Sequence, residues 1–132
     1  MKRVTSIVVL ALLVAMISMV PGVAAAPVFK IGGLASLQSG YGQSMVSGAA
    51  LAIEEINAAG GVNGIKFEID WQDTEANASV GRTAAQKLIY GSKVDTILGC
   101  HASTVVLAIE GLVKSANVLE VAMGSATAVT AL

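Results

Sequence analysis

The chain has 132 residues, a formal net charge of −1 and a single cysteine. This length allows one domain at most. A net charge so close to zero argues against a nucleic-acid partner, because nucleic-acid binding generally needs a basic patch. With one cysteine, a disulfide bond within the chain is excluded.

Residues 1–25 have the pattern of a secretory signal peptide. Two basic residues precede an uncharged apolar run at 7–20, which a Pro-Gly pair interrupts before the small residues 23–26. These are the three regions of a cleavable export signal. A retained membrane anchor is the alternative, but the run is shorter than the ~20 residues of a spanning helix. We expect cleavage after Ala25, so that only the signal peptide contacts the membrane.

Residues 26–132 then form the mature protein, which begins with a predicted strand at 28–34. The polar, glycine-containing segment 35–42 is predicted to be a loop. From Gln43 the apolar residues recur with helical period, and Gly60 with Gly61 is expected to end that helix. Its inward-facing residues are predicted to be Met45, Ala49, Ala52, Ile53 and Ile56.

The second predicted strand is amphipathic. Apolar residues at 65, 67, 69 and 71 alternate with charged or amide residues. Strict alternation indicates that one face of the strand is only partly covered, which favours an edge position in the sheet. Asn77 or Ser79 is expected to cap a second helix. The apolar positions of that helix are Val80, Ala84, Leu88 and Ile89.

A third strand is predicted at 95–99, with a sharp turn at Gly99. Ser103 is expected to be the N-cap of a third helix. The inward-facing residues of this helix are predicted to be Val105, Val106, Ile109, Leu112 and Val113. Asn117 is its expected end, and a fourth strand at 118–123 leads into a turn at 124–127.

The alternation of strands and helices with short connections predicts an α/β fold with a parallel sheet and right-handed crossovers. With the second strand at an edge, the expected strand order is 2-1-3-4. Ligands of such sheets bind beyond the carboxyl ends of the strands. Three turns are therefore expected to converge there: 35–42, 100–104 and 124–127.

A helix N-terminus next to hydroxyl groups suits a carboxylate or phosphate, because its first N–H groups lack partners within the helix. Ser103 and the flanking Ala102 and Thr104 are predicted to form such a site. Ser125, Thr127 and Tyr41 are added because their turns converge on the same edge. Each of these residues has an ordinary structural explanation, and Ser103 can simply cap its helix. The convergence, and no single residue, favours a site.

The usual cofactor motifs are missing from the sequence. The spacing G-x-G-x-x-G does not occur, no Walker sequence is present, and His101 has no carboxylates or cysteines at metal-ligand spacing. Cys100 and His101 are poorly placed as a catalytic pair, because neighbouring side chains in a turn point apart. We therefore predict no catalytic residue, no metal and no cofactor.

The mature chain resembles the start of a type I periplasmic binding protein of the branched-chain amino acid (leucine, isoleucine, valine) group. The most specific match is Ile-Asn-Ala-Ala-Gly-Gly at 56–61. Further matching segments are 31–34, 41–42, 48–64, the polar loop opened by Asp73, 99–104 and 125–127. Val129 departs from the family pattern, which commonly has a proline there, and 37–39 lacks the usual proline pattern.

The resemblance implies an exported solute receptor of an ABC importer, with a small carboxylate ligand and a permease partner. In the family, a serine at the position of Ser103 binds the ligand's α-carboxylate, and a threonine matched by Thr127 joins it. The residue matched by Ser125 offers a backbone carbonyl to the ammonium group, and Tyr41 matches an aromatic residue beside the ligand. The implied location is the periplasm, or the cell exterior where there is no outer membrane.

The family folds as two lobes that close over the ligand, and residues 26–132 correspond to the first part of one lobe. We therefore expect a truncated chain that binds free amino acids poorly. One alternative is a ligand-sensing extracellular domain of the same fold, with an amino acid, amide or urea as ligand. A weaker alternative is a hydrolase-like fragment with Ser103 as nucleophile, although the motif G-x-S-x-G is missing.

Overall fold

The computed structural model describes residues 27–130, so the predicted signal peptide at 1–25 lies outside the described residues. Strands and helices alternate along this part of the chain. The elements are β1 (Val28–Ala35), α1 (Gly40–Ala58), β2 (Lys66–Asp73), α2 (Ala78–Gln86), a π-helical segment (Lys87–Ser92), β3 (Thr96–Gly99), α3 (Ser103–Ala116), β4 (Leu119–Val121) and α4 (Thr127–Thr130).

The four strands form one sheet in the order β2-β1-β3-β4, and every neighbouring pair is parallel. This confirms the predicted α/β class and strand order. Leu34 near the end of β1 is in register with Gly99 at the end of β3. The two strands therefore end at the same edge of the sheet, and the turns that follow them lie side by side there.

Helices α2 and α3 pack against each other and cover one face of the sheet. The core between them contains Leu34 and Ile97 from the strands and Leu88 from the π-helical segment, all fully buried. Five α3 residues predicted to face inward are buried as expected: Val105, Val106, Ile109, Leu112 and Val113. This face is the hydrophobic core that fixes the two helices and the turn before α3.

Helix α1 packs chiefly against β1 and β2. Four residues of its predicted apolar stripe are half-buried: Met45, Ala49, Ile53 and Ile56. The prediction that Ala52 faces inward is wrong, because Ala52 is exposed. The contact with two strands buries a narrower stripe than the apolar pattern of the helix suggests.

The start of α1 differs from the prediction. The side-chain oxygen of Ser39 accepts a hydrogen bond from the Gly42 N–H at 3.0 Å, and the helix begins at Gly40. The prediction of a loop up to residue 42 is therefore wrong for its last three residues. A side chain at Gly42 would collide with the Ser36 carbonyl, so glycine here permits close packing of the helix on the loop that precedes it.

Two other helix ends follow the sequence signals. The Asn77 side chain accepts hydrogen bonds from the N–H groups of Ser79 at 2.9 Å and Val80 at 3.2 Å, so Asn77 caps α2. Asn117 ends α3 in the left-handed conformation, with φ of 55°. Within the described residues, no helix combines the length and the apolar character needed to cross a membrane.

Candidate functional site

A cavity of about 390 Å³ lies at the carboxyl edge of the sheet, lined by Tyr41, Met45, His101, Met123 and Ser125. These residues come from α1, from the turn after β3 and from the segment after β4. The structure thus brings together the three regions that were expected to converge. Of the predicted site residues, Tyr41 and Ser125 line the cavity. The others lie outside its lining: Ala102 is in the turn after β3, Ser103 and Thr104 begin α3, and Thr127 begins α4.

The turn after β3 depends on Gly99, whose φ of 104° is disfavoured for residues with a side chain. A Cβ at this position would also collide with the Leu34 carbonyl. The Met123 N–H donates to the Cys100 carbonyl at 3.3 Å, which joins this turn to the segment after β4. Together these features position His101 and Ser103 at the sheet edge.

The prediction that Ser103 is the N-cap of α3 is wrong. Ala102 occupies that position without a side-chain hydrogen bond, and its carbonyl accepts from the Val105 and Val106 N–H groups. Ser103 is the first helical residue, and its Oγ accepts a hydrogen bond from the Ala126 N–H at 3.1 Å. Because that bond uses Oγ as the acceptor, the hydroxyl hydrogen of Ser103 can still be donated to a ligand.

The N-terminus of α3 carries unpaired donors. Among residues 27–130, no acceptor is in hydrogen-bond contact with the backbone N–H of Ser103 or of Thr104. The N–H of Ala102 lies 3.4 Å from the Sγ of the buried Cys100, and is therefore engaged in a weak bond. Two amide donors and one hydroxyl at a helix N-terminus can bind a carboxylate.

Thr127 lies next to this group, because it follows Ala126, whose N–H is bonded to Ser103. Gly124 packs directly on Ser103: a Cβ at Gly124 would lie 3.1 Å from the Ser103 Oγ. The predicted residues Ser103, Ser125 and Thr127 therefore belong to one contact region between the start of α3 and the start of α4. A larger residue at position 124 would disturb it.

His101 is a cavity residue that the sequence analysis did not select. Its ring is stacked with that of Tyr41, with centroids 6.0 Å apart and an angle of 26° between the planes. The buried Nδ1 of His101 has no hydrogen-bond partner among the described residues. Leaving such a group unpaired costs ~1–3 kcal/mol. The one sequence signal for His101 was its position in the turn immediately before the predicted carboxylate site.

Among residues 27–130, no side chain with a carboxylate or ammonium group lines this cavity. Glu120 on β4 lies outside the cavity lining. Burial, with a smaller contribution from the negative charge of Glu110, raises the pKa of Glu120 to about 7. The hydrogen-bond donors beside the cavity are therefore the uncharged amides and the hydroxyl at the start of α3.

A larger cleft of about 590 Å³ opens near the start of β3, away from these turns. Its polar groups are paired with each other: Ser92 donates to Asp70 at 2.8 Å, and the Lys30 ammonium lies 3.8 Å from the Glu68 carboxylate. The smaller cavity has the stronger case as a ligand site, because unpaired donors lie beside it.

The described part of the chain holds no group of three His, Cys, Asp or Glu side chains that could hold a metal ion. The donors at the start of α3 are amides and a hydroxyl, which suit an anion. A parallel sheet with such donors at its carboxyl edge is typical of one class of protein, the α/β proteins that bind small ligands at that edge.

The family model for periplasmic binding proteins matches residues 28–131. The chain therefore belongs to the periplasmic binding protein family, which confirms the resemblance seen in the sequence. Comparison with curated protein sequences gave no match.

Three solved structures illustrate the similarity. The branched-chain amino acid transporter substrate-binding protein LivJ of Streptococcus pneumoniae, in complex with isoleucine, is 27% identical with a TM-score of 0.74, over 79% of this chain and 31% of that one. The leucine-binding protein LivK of Thermotoga maritima is 27% identical with a TM-score of 0.66, over 75% and 28%. A solute-binding protein of Rhodopseudomonas palustris, in complex with 3,4-dihydroxybenzoic acid, is 26% identical with a TM-score of 0.65, over 77% and 28%.

The chain thus spans less than a third of the length of each of these proteins. All three are described as substrate-binding, leucine-binding or solute-binding proteins, and none as an enzyme.

Proposed function

We propose that the chain is the carboxylate-binding part of an exported solute-binding protein that serves an ABC importer, with a branched-chain amino acid as its ligand. The observation that carries this proposal is the set of unpaired donors at the start of α3. These are the N–H groups of Ser103 and Thr104 and the hydroxyl hydrogen of Ser103, beside a 390 Å³ cavity.

The relatives support this choice of ligand class. Isoleucine is bound in the Streptococcus pneumoniae structure, and the Thermotoga maritima protein is named as leucine-binding. The Rhodopseudomonas palustris structure contains 3,4-dihydroxybenzoic acid. These ligands differ in their side groups and share a carboxylate, which is the group that the α3 donors suit.

We propose further that residues 1–25 direct export to the periplasm, or to the cell exterior in an organism without an outer membrane. Residues 26–132 then form the first part of one lobe of a longer protein. The rest of that longer protein supplies a second lobe, an acidic partner for the ligand's ammonium group and the contact with the permease. By itself, the chain is expected to bind amino acids with roughly millimolar affinity or more weakly.

We propose that the chain is not an enzyme. A serine nucleophile needs a base in hydrogen-bond contact. Among residues 27–130, the hydrogen-bond partner of the Ser103 hydroxyl is the Ala126 N–H, which is not a base. A sensory domain of the same fold is the remaining alternative, and it would share the ligand site.

The test is an NMR titration of the isotope-labelled mature chain with leucine and with leucinamide, which lacks the carboxylate. Leucine is expected to shift the amide signals of Ser103 and Thr104, and leucinamide is expected to leave them in place. Ser103→Ala should weaken leucine binding about tenfold, because a hydrogen bond to a charged group is lost.

Ser115→Ala is the matched control, since Ser115 lies at the other end of α3 and bonds the Leu112 carbonyl. It should bind leucine like the unmodified chain. Equal shifts with leucine and leucinamide, or equal affinities for Ser103→Ala and Ser115→Ala, would contradict a carboxylate site at the start of α3.

A further inference from the structure

Strand β4 has an open backbone edge. It lies at the end of the strand order, so one side of it has no neighbouring strand among residues 27–130. The Leu119 carbonyl and the Met123 N–H are hydrogen-bonded to β3 and to the turn after it, so these groups point into the sheet. Because backbone groups alternate in direction along a strand, those of Glu120 and Ala122 point away from the sheet.

The side chains of β4 are distributed in the opposite way to those of a strand with one face in water. Leu119 and Val121 lie on the open face and are 68% and 49% exposed. Glu120 is in register with the core residue Ile97, so it lies half-buried on the face that α3 covers. A solvated strand face normally carries the polar side chains. The pattern therefore suits a contact with another protein surface at Leu119 and Val121.

The two edges of the sheet differ in their protection against further pairing. At the other edge, β2 has charged side chains along its length, and Asn57 already bonds the Phe67 backbone. Charged side chains and covered backbone groups are common means of keeping edge strands apart. The segment 118–123 at the β4 edge has no lysine, arginine or proline. An unprotected edge with apolar side chains is a template for a further strand.

We propose that a second copy of the mature chain pairs with β4 in antiparallel orientation, so that the two sheets become one. A two-fold contact uses the same segment from both copies, and 118–123 is self-complementary when the pairing is centred on Val121. Val121 then meets Val121 of the other copy, and Leu119 meets Met123 of the other copy. Centring on Glu120 would place two carboxylates opposite each other, which is unfavourable.

The register centred on Val121 also gives partners to the backbone groups that point away from the sheet. Glu120 of each copy lies opposite Ala122 of the other, and the two residues exchange backbone hydrogen bonds. Among residues 27–130, the Ala122 backbone has no backbone partner. The paired segment is short compared with the roughly 20–30 residues a side of a standard interface, so we expect a weak dimer with a Kd of about 10–100 µM. The contact does not depend on the proposed carboxylate site.

Sedimentation equilibrium of the mature chain between about 5 and about 500 µM measures this association. The average mass is expected to rise from that of one chain toward that of two. Val121→Lys should weaken dimerisation by about tenfold or more, because two ammonium groups would meet at the centre of the contact. The matched control Val62→Lys should associate like the unmodified chain. Val62 is 52% exposed, nearly the same as Val121, and lies between α1 and β2.

Cysteine crosslinking tests the register directly. Val121→Cys places two thiols on directly opposed residues, whose Cα separation of roughly 4.5–5.5 Å a disulfide can bridge, so mild oxidation should give a covalent dimer. Leu119→Cys is the matched control, because its two thiols would lie four positions apart along the paired strands, roughly 13 Å, and should not crosslink. Cys100 is buried, so the unmodified chain should also stay uncrosslinked.

Three results would overturn the proposal. The mass of a single chain at every concentration would leave this surface to the rest of the longer protein. Equal association of Val121→Lys and Val62→Lys, with both variants folded by circular dichroism, would place the contact elsewhere. If Val121→Lys does not fold, crosslinking decides, and equal crosslinking of Val121→Cys and Leu119→Cys would exclude the paired register.

Discussion

The side-chain amide of Asn57 forms two hydrogen bonds with the backbone of Phe67. Its Nδ2 donates to the Phe67 carbonyl at 2.8 Å, and its Oδ1 accepts from the Phe67 N–H at 2.9 Å. Phe67 lies in β2, an edge strand of the sheet. At this position the Asn57 side chain therefore makes the two hydrogen bonds that a neighbouring strand would make with the free edge of β2. The same bonds attach the last turn of α1 to the sheet.

Asn57 belongs to the segment Ile-Asn-Ala-Ala-Gly-Gly at 56–61, the most specific part of the sequence match. Asn57 bonds β2, and the Gly61 N–H donates to the Ile56 carbonyl at 2.8 Å as the chain leaves the helix. Gly60 and Gly61 have φ of 105° and 81°, which glycine adopts readily. The motif couples the end of a helix to the start of the next strand.

Asn57→Ala should lower the free energy of unfolding by about 1–3 kcal/mol, because two backbone groups of Phe67 lose their partner. Urea denaturation followed by circular dichroism measures this loss. Glu54→Ala, at an exposed position of the same helix, is the control and should change stability by less than about 0.5 kcal/mol. Equal stability of the two variants would show that the Asn57 bonds contribute nothing.

Gly99→Ala should destabilise the chain by about 2 kcal/mol or more, because the positive φ is unfavourable and a Cβ collides with the Leu34 carbonyl. Gly111→Ala, on α3 with open space around it, should instead stabilise by roughly 0.5–1 kcal/mol. Thermal unfolding of both variants gives the comparison. A neutral Gly99→Ala would mean that the turn before Ser103 tolerates other conformations.

Glu120 should make stability depend on pH. Because burial raises the pKa of Glu120 in the folded chain to about 7, above its ordinary value of 4.5, the folded state binds the proton more tightly. The stabilisation is complete below about pH 4.5 and is lost as the pH rises toward 7. We expect a loss of roughly 2 kcal/mol over this range, after allowance for solvent screening.

Glu120→Gln should remove most of this pH dependence and should be more stable than the unmodified chain at pH 8. Glu110→Gln removes only the smaller, charge-based contribution, so it should retain most of the slope. Urea denaturation at several pH values between 4.5 and 8 measures the slopes. A Glu120→Gln variant with the slope of the unmodified chain would assign the pH dependence to other groups.

Much of the fold was predictable because its signals are local. The period of apolar residues identified the inward face of α3, and Asn77 and Asn117 marked helix ends through their own side chain or backbone preference. The alternation in β2 placed that strand at an edge. With that strand at an edge, 2-1-3-4 is the natural order of such a sheet.

The errors arose where local patterns compete. Ser103 satisfied the rule for an N-cap, but the Ala102 carbonyl accepts the first hydrogen bonds of the helix, and the Ser103 Oγ instead accepts from Ala126. That partner is 23 positions further along the chain. At α1, the glycines suggested a loop, whereas Ser39 and the space beside Ser36 allow the helix to start at Gly40.

The sequence by itself determined the succession of strands and helices, because periodicity and turn residues act within a few positions. Only the tertiary structure decided which side chains form the cavity. Tyr41 and His101 meet, and Ser103 meets Ala126, because the sheet register brings the ends of β1, β3 and β4 together. Such contacts depend on the packing of segments that are distant in sequence, so a local sequence pattern cannot predict them.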